Sequence, residues 1–150
     1  MGAGIGTFSF ILQVTEPPQR ETIITGMWSS YGQNSYNILQ NTLVYIPNLL
    51  IVFTIDEGEN AFFMFNGIVE FESTSGFVQF VFWINDQTYP ENYATLEVPN
   101  VGGANFTTPI SFFYTLYSFL ARVHDATVSV YTSSASSTLW FSKLLIQTFI

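Results

Sequence analysis

Apolar residues recur at every second position through much of this chain, a period that suits β-strands and little else. Phe8, Phe10, Leu12 and Val14 alternate with Thr7, Ser9, Ile11 and Gln13. Successive side chains of a strand point to opposite faces, so this reads as a strand with one buried face. Pro17-Pro18 ends it, because proline has no N–H for a ladder. Residues 23–28 form a weaker second segment, and 29–37 read as a polar loop rich in Ser, Asn, Gln and Tyr. Residues 42–46 are closed by Pro47. In 49–55 both faces are apolar until Asp56, as in a strand covered on both sides.

Turn signals punctuate the rest. Asp56-Glu57-Gly58-Glu59-Asn60 reads as a turn. Asn66-Gly67 between apolar runs predicts a hairpin joining 61–65 to 68–72, with Val69 and Phe71 facing in and Glu70 and Glu72 out. Residues 73–76 are another turn. Residues 77–84 are apolar on both faces except for Gln79, and Asn85-Asp86 turns the chain. A short strand at 94–98 precedes a Gly/Asn/Thr loop at 101–108. Residues 126–131 alternate with Val128 and Val130 inward; 132–137 are a serine-rich turn, and 143–149 a final strand. Residues 110–123 fit a helical stripe through Phe112, Phe113, Leu116, Phe119, Leu120 and Val123, but their aromatic and β-branched content favours a strand. About nine short strands separated by turns imply an all-β, antiparallel two-sheet sandwich. Residues 25–150 are read as that domain and residues 1–24 as an N-terminal strand arm.

Composition narrows the chemistry. The 150 residues contain no cysteine, which excludes thiolate zinc sites and thiol catalysis. Three Lys+Arg face eleven Asp+Glu, a formal net charge of −8. Arg20, Arg122 and Lys143 are too few to neutralise a phosphate backbone, so nucleic acid is not expected as a partner. The opening residues lack the basic region of a signal peptide. The longest uncharged stretch, 98–121, holds Pro99, Gly102, Gly103, Asn105 and Pro109. Its apolar part falls short of the ~20 residues of a spanning helix, so no transmembrane segment is expected. Charged residues are only 9 % of the chain and aromatics 18 %, so apolar surface outweighs the ions that keep copies apart.

From Asn41 onward the order of segments carries a resemblance. Thr42-Leu43-Val44-Tyr45-Ile46-Pro47 leads into 49–55; 77–84 runs into Asn85-Asp86-Gln87; then come Ala126-Thr127-Val128-Ser129-Val130 and Leu144-Leu145-Ile146-Gln147. This pattern resembles the TNF/C1q-like jelly-roll sandwiches found in surface and appendage proteins of viruses. In that family a strand runs into an Asp-Gly turn, where this chain has Asn85-Asp86. The resemblance implies two stacked antiparallel sheets, frequent homotrimers, and a binding or scaffolding role without catalysis.

Candidate chemistry is sparse. His124-Asp125 holds the single histidine. No Gly-x-Ser-x-Gly elbow accompanies it, and neighbours on a strand face opposite ways, so a turn or surface histidine is expected. Asp56, Glu57, Glu59 and Asn60 lack the spacing of a calcium loop and read as a solvated turn. Glu70 and Glu72 share one presumed solvent face. Gly2-Ala3-Gly4-Ile5-Gly6 lacks the strand–loop–helix context of a phosphate loop. Trp28, Tyr31 and Tyr36 in one polar loop, and Tyr89 and Tyr93 in another, are aromatics beside Asn and Gln that suit sugar stacking or loop anchoring. Of these, Trp28, Tyr31, Tyr89 and Tyr93 are the ligand-binding candidates. Asn105-Phe106-Thr107 is a glycosylation sequon.

The sequence therefore predicts a non-enzymatic structural subunit of a virion surface (capsid, turret or appendage) that self-assembles through apolar strand faces. Catalytic residues, metals and cofactors are not expected. Phe8, Phe10, Phe112, Tyr114, Tyr117 and Phe119 are the interface candidates. The partners expected are copies of the chain, as a homotrimer, and other virion structural proteins. The alternative is a secreted carbohydrate- or receptor-binding module.

Overall fold

The computed structural model describes residues 21–72, 76–98, 105–134 and 137–150, with the side chains at 72 and 89–98 outside that description. The expected strand at 7–14, with Phe8 and Phe10, lies outside the described residues. Ten strands follow in order: β1 Ile24–Tyr31, β2 Tyr36–Ile38, β3 Val44–Tyr45, β4 Ile51–Ile55, β5 Asn60–Glu72, β6 Gly76–Ile84, β7 Gln87–Val98, β8 Asn105–Leu116, β9 Arg122–Thr132 and β10 Ser137–Phe149. Among the described residues there is no helix long and apolar enough to cross a membrane.

The strands form two antiparallel sheets. The first has the order β1-β10-β5-β8, with β2 continuing the β1 edge along β10. The second has the order β3-β9-β6-β7, with β4 beside β3 on the same side of β9. Strands pair from the outside inward along the chain: β1 with β10, β4 with β9, β5 with β8, β6 with β7. A long antiparallel ribbon rolled into two layers produces this nesting, which is the connectivity of a jelly roll. The expected two-sheet β-sandwich is therefore present.

Alternation builds the core. In β4, Ile51, Phe53 and Ile55 are buried while Val52 and Thr54 are exposed. In β6, Val78, Phe80, Phe82 and Ile84 face the other sheet. Phenylalanine rings interlock across the layers: Phe65 of β5 lies 5.0 Å from Phe80 of β6, and Phe82 lies 4.4 Å from Phe112 of β8. Each fully buried ring contributes about 1.5–3 kcal/mol through area removed from water.

The structure corrects four local expectations. Asn66-Gly67 makes no hairpin; β5 runs through it unbroken. Register explains why. A two-residue hairpin places residues 63 and 65 on one face with 68, 70 and 72, so burying Phe63 and Phe65 would bury Glu70 and Glu72 as well. A continuous strand instead aligns Ala61, Phe63, Phe65, Val69 and Phe71 on the core face, all fully buried. Gly67 pairs with Ser142 and sits where a Cβ would lie 3.2 Å from the Phe141 carbonyl oxygen, next to the bulge opposite Ile68 and Val69 that leaves Trp140 of β10 unpaired with β5. Next, residues 29–31 belong to β1 and 36–38 to β2, so 29–37 is not one loop. Likewise 105–108 are the start of β8, not loop. Finally, Leu50 and Val52 are both 60 % exposed and β4 pairs with β9 alone among the described residues, so 49–55 is not covered on both sides. Residues 110–116 complete β8, as the strand reading of that segment expects.

Two turns form as expected. Gly58, with φ of 85°, lets the chain pass from β4 to β5, and the Glu59 carboxylate accepts the Asp56 amide at 3.0 Å. Asn85 and Asp86 both hold positive φ, 52° and 61°, as a two-residue primed hairpin turn requires between β6 and β7.

Candidate functional site

On the first sheet, outward positions of β1 carry Met27, Ser29 and Tyr31; those of β10 carry Phe141, Lys143, Leu145, Gln147 and Phe149. Outward positions of β5 carry Phe62, Met64, Asn66, Ile68 and Glu70, and those of β8 carry Pro109, Ser111, Phe113 and Thr115. Register places these side by side. Ser29, Leu145, Met64 and Phe113 form one row across the sheet, and Met27, Gln147, Phe62 and Thr115 the next. Phe113 is 68 % exposed, Met27 59 % and Tyr31 57 %. Tyr117, just beyond β8, is 70 % exposed and meets the Phe149 ring edge-on.

Charge is scarce on this face. Among the described side chains it carries only Lys143 and Glu70, and both are engaged. The Lys143 ammonium lies 5.4 Å from the centre of the Tyr31 ring. Glu70 accepts Trp140 Nε1–H at 2.6 Å through one oxygen and Asn105 Nδ2–H at 2.8 Å through the other. With both oxygens taken at the sheet surface, Glu70 is a structural acceptor. The same bond places the sequon asparagine, Asn105, against a carboxylate. Two shallow grooves of about 330 and 340 Å³ cross the face, one at Gly67 and Pro109, the other at Phe62 and Tyr117.

Of the ligand-binding candidates, the two with described side chains do not gather. Trp28 and Tyr31 lie on opposite faces of β1: Trp28 points inward, 6.0 Å from the Phe53 ring, and Tyr31 points outward, 5.9 Å from Phe141. Tyr36 is half-buried against the core from β2. Tyr89 and Tyr93 fall in β7, and their side chains are outside the described part. The interface candidates divide as well. Phe112, Tyr114 and Phe119 pack against the core, whereas Tyr117 is exposed; the outward aromatic of β8 is Phe113. The helical stripe had grouped Phe112 with Phe113, and strand geometry separates them.

His124 is also corrected. It is 2 % exposed, neither in a turn nor at the surface. Its ring stacks on Phe53 at 5.6 Å and on Phe119 at 4.2 Å. Its Nε2 lies 2.7 Å from the Leu120 carbonyl oxygen, which can only accept, so Nε2 carries the proton. Nδ1 then accepts from the Asn85 amide at 2.8 Å, an amide oriented by its own Oδ1, which accepts the Asp125 N–H. Asp125 faces the other way, as strand alternation requires, so the two do not form a base–orienter pair. The 56–60 turn is not solvated throughout: Glu59 is buried and accepts the Asp56 N–H, and Asn60 Oδ1 accepts the Ser118 N–H, which leaves no gathered oxygen set among these residues. Among the described residues no three acidic or histidine side chains come together as a metal site.

The residues that dominate the outer face, Met64, Phe113, Leu145 and Phe141, are not among the interface candidates that the sequence offers. Their signal is double alternation: strands apolar at both parities must expose one set of side chains. No family model matches the chain, and no curated protein is detectably similar to it.

Proposed function

We propose that this chain is a non-enzymatic structural subunit that self-assembles through the outer face of its first sheet, with a virion surface (capsid, turret or appendage) as its setting. One observation carries the assembly reading. The face spanned by β1, β10, β5 and β8 presents apolar side chains in adjacent rows, with only Lys143 and Glu70 as charges among the described side chains. Lone exposed apolar residues are ordinary, but a patch that joins Leu145, Met64, Phe113 and Phe62 across three neighbouring strands marks a contact surface. Copies of the chain are the natural occupant, because closed symmetric association covers the same patch on every subunit. The viral setting and the three-fold arrangement rest on the resemblance to TNF/C1q-like jelly rolls.

Sedimentation of the full chain tests the proposal. The wild type is expected to be an oligomer at micromolar concentration, and Phe113→Glu, at an exposed position, is expected to release a folded monomer. A wild-type monomer would overturn the assembly reading. Imaging of particles from the native source tests the viral setting.

A further inference from the structure

The outer face of the second sheet holds a separate cleft of about 390 Å³, away from the apolar rows. It opens where the partner of β9 changes. Ala126 still pairs with β4 and Ser129 already pairs with β3, so Thr127 lies at a gap in the edge. The chain between β3 and β4 swings out there through Pro47 and Asn48, the latter with φ of 67°.

Two rings wall the cleft. Tyr45 and Trp83 meet at 5.5 Å and 80°. The indole is fixed by its Nε1–H, which donates to Ser129 Oγ at 2.7 Å. Asp86 and Asp125 also line the cleft, and neither has an ion pair among the described residues. Lys143 is on the other sheet, over Tyr31.

From this arrangement we infer that the cleft binds an organic cation: an ammonium or guanidinium group seated against Trp83 and Tyr45 and neutralised by Asp86 and Asp125. An indole face attracts cations through its quadrupole, and a carboxylate beside it adds a charge-assisted contact. The formal charge of −8 draws cations toward the molecule before they dock. Rings at 80° offer one face and one edge rather than a flat platform for a sugar ring. The cation comes either from a free amine or from a basic side chain presented by a partner.

Labelling the full chain with 5-fluorotryptophan gives a separate fluorine signal for each of its three tryptophans, Trp28, Trp83 and Trp140, assignable with single Trp→Phe variants. Tetramethylammonium, spermidine and N-acetyl-lysine methylamide are titrated, with tert-butanol and methyl glucoside as neutral controls. The expected result is a saturable shift of the Trp83 signal by cations alone, with Trp28 and Trp140 unmoved. Asp125→Asn should weaken that binding by about tenfold while the other two signals report an intact fold. Tighter binding of spermidine identifies a free amine as the source, and tighter binding of the lysine derivative identifies a side chain; both support the site. A silent Trp83 signal, an equal response to the neutral controls, or unchanged affinity in both Asp125→Asn and Asp86→Asn overturns the inference.

Discussion

The imidazole of His124 lies over the ring of Phe119 at 4.2 Å between centres and 16° from parallel. Phe119 belongs to the connection between β8 and β9, so this stack fastens a loop onto the sandwich. The hydrogen bonds of the imidazole extend the same link: Nε2 reaches Leu120 in that loop and Nδ1 reaches Asn85 in the β6–β7 turn. One buried side chain thereby ties two turns to the end of β9.

Nitrogen-15 NMR should find His124 as the Nε2–H tautomer, because a carbonyl faces that nitrogen and an amide donor faces the other. His124→Phe should keep the stack but leave the Leu120 carbonyl and the Asn85 amide unpaired, costing about 1–3 kcal/mol in urea denaturation. His124→Ala also removes the ring and should cost more. An Nδ1–H tautomer, or a His124→Phe variant as stable as the wild type, would contradict this picture.

The passage of β5 through Asn66-Gly67 makes a second prediction. A Cβ on Gly67 would lie 3.2 Å from the Phe141 carbonyl oxygen and from the Phe65 ring, so Gly67→Ala should destabilise by about 1–3 kcal/mol through crowding. Asn66 is half-buried on the outer face, and Asn66→Thr should be tolerated there, since β-branched residues suit strands. A hairpin would give the opposite order for Asn66, because threonine fits poorly in a turn that needs positive φ. Chemical denaturation of both variants decides between the two geometries.

The β4–β5 turn makes a third. Gly58 holds φ of 85° with open space around its Cα, so strain rather than collision limits replacement. Gly58→Ala should cost about 1 kcal/mol and Gly58→Asn less, since Asn tolerates the left-handed region. Glu59→Ala should cost about 1 kcal/mol more than Glu57→Ala, since the Glu59 carboxylate accepts the Asp56 amide from a buried position. Equal melting temperatures for the two alanine variants would show that this bond contributes nothing.

Much of the fold is legible in the chain because period-2 alternation is a local signal. Ile51, Phe53 and Ile55 declare β4, and Asn85-Asp86 declares its turn, without reference to any distant residue. What the sequence hides is decided across strands. Asn66-Gly67 carries the local chemistry of a turn, and only the shared parity of Phe65 with Val69 and Phe71 argues against it. Trp28 and Tyr31 look like one aromatic cluster until β1 extends to Tyr31 and sets them on opposite faces. His124 reads as polar, and its burial depends on acceptors and donors contributed by Leu120 and Asn85. The apolar outer face is visible only once register aligns Leu145, Met64 and Phe113, residues far apart in the chain.

Charge placement fixes how the proposed assembly responds to salt. The contact face holds two charged groups among the described side chains, Lys143 against Tyr31 and Glu70 within its hydrogen bonds, so ion pairs between copies contribute little to it. The formal charge of −8 resides mostly elsewhere on each copy and acts as a long-range repulsion. Repulsion of that kind is screenable: the Debye length falls from about 30 Å at 0.01 M to about 8 Å at 0.15 M. Raising salt over that range should therefore tighten self-association, and sedimentation equilibrium at several protein concentrations would read the change. Met64→Lys should abolish association at every salt, because desolvating an unpaired cation in the middle of the apolar rows is costly whatever the screening. Dissociation of the wild type as salt rises would mean that ion pairs, not apolar rows, hold the copies together.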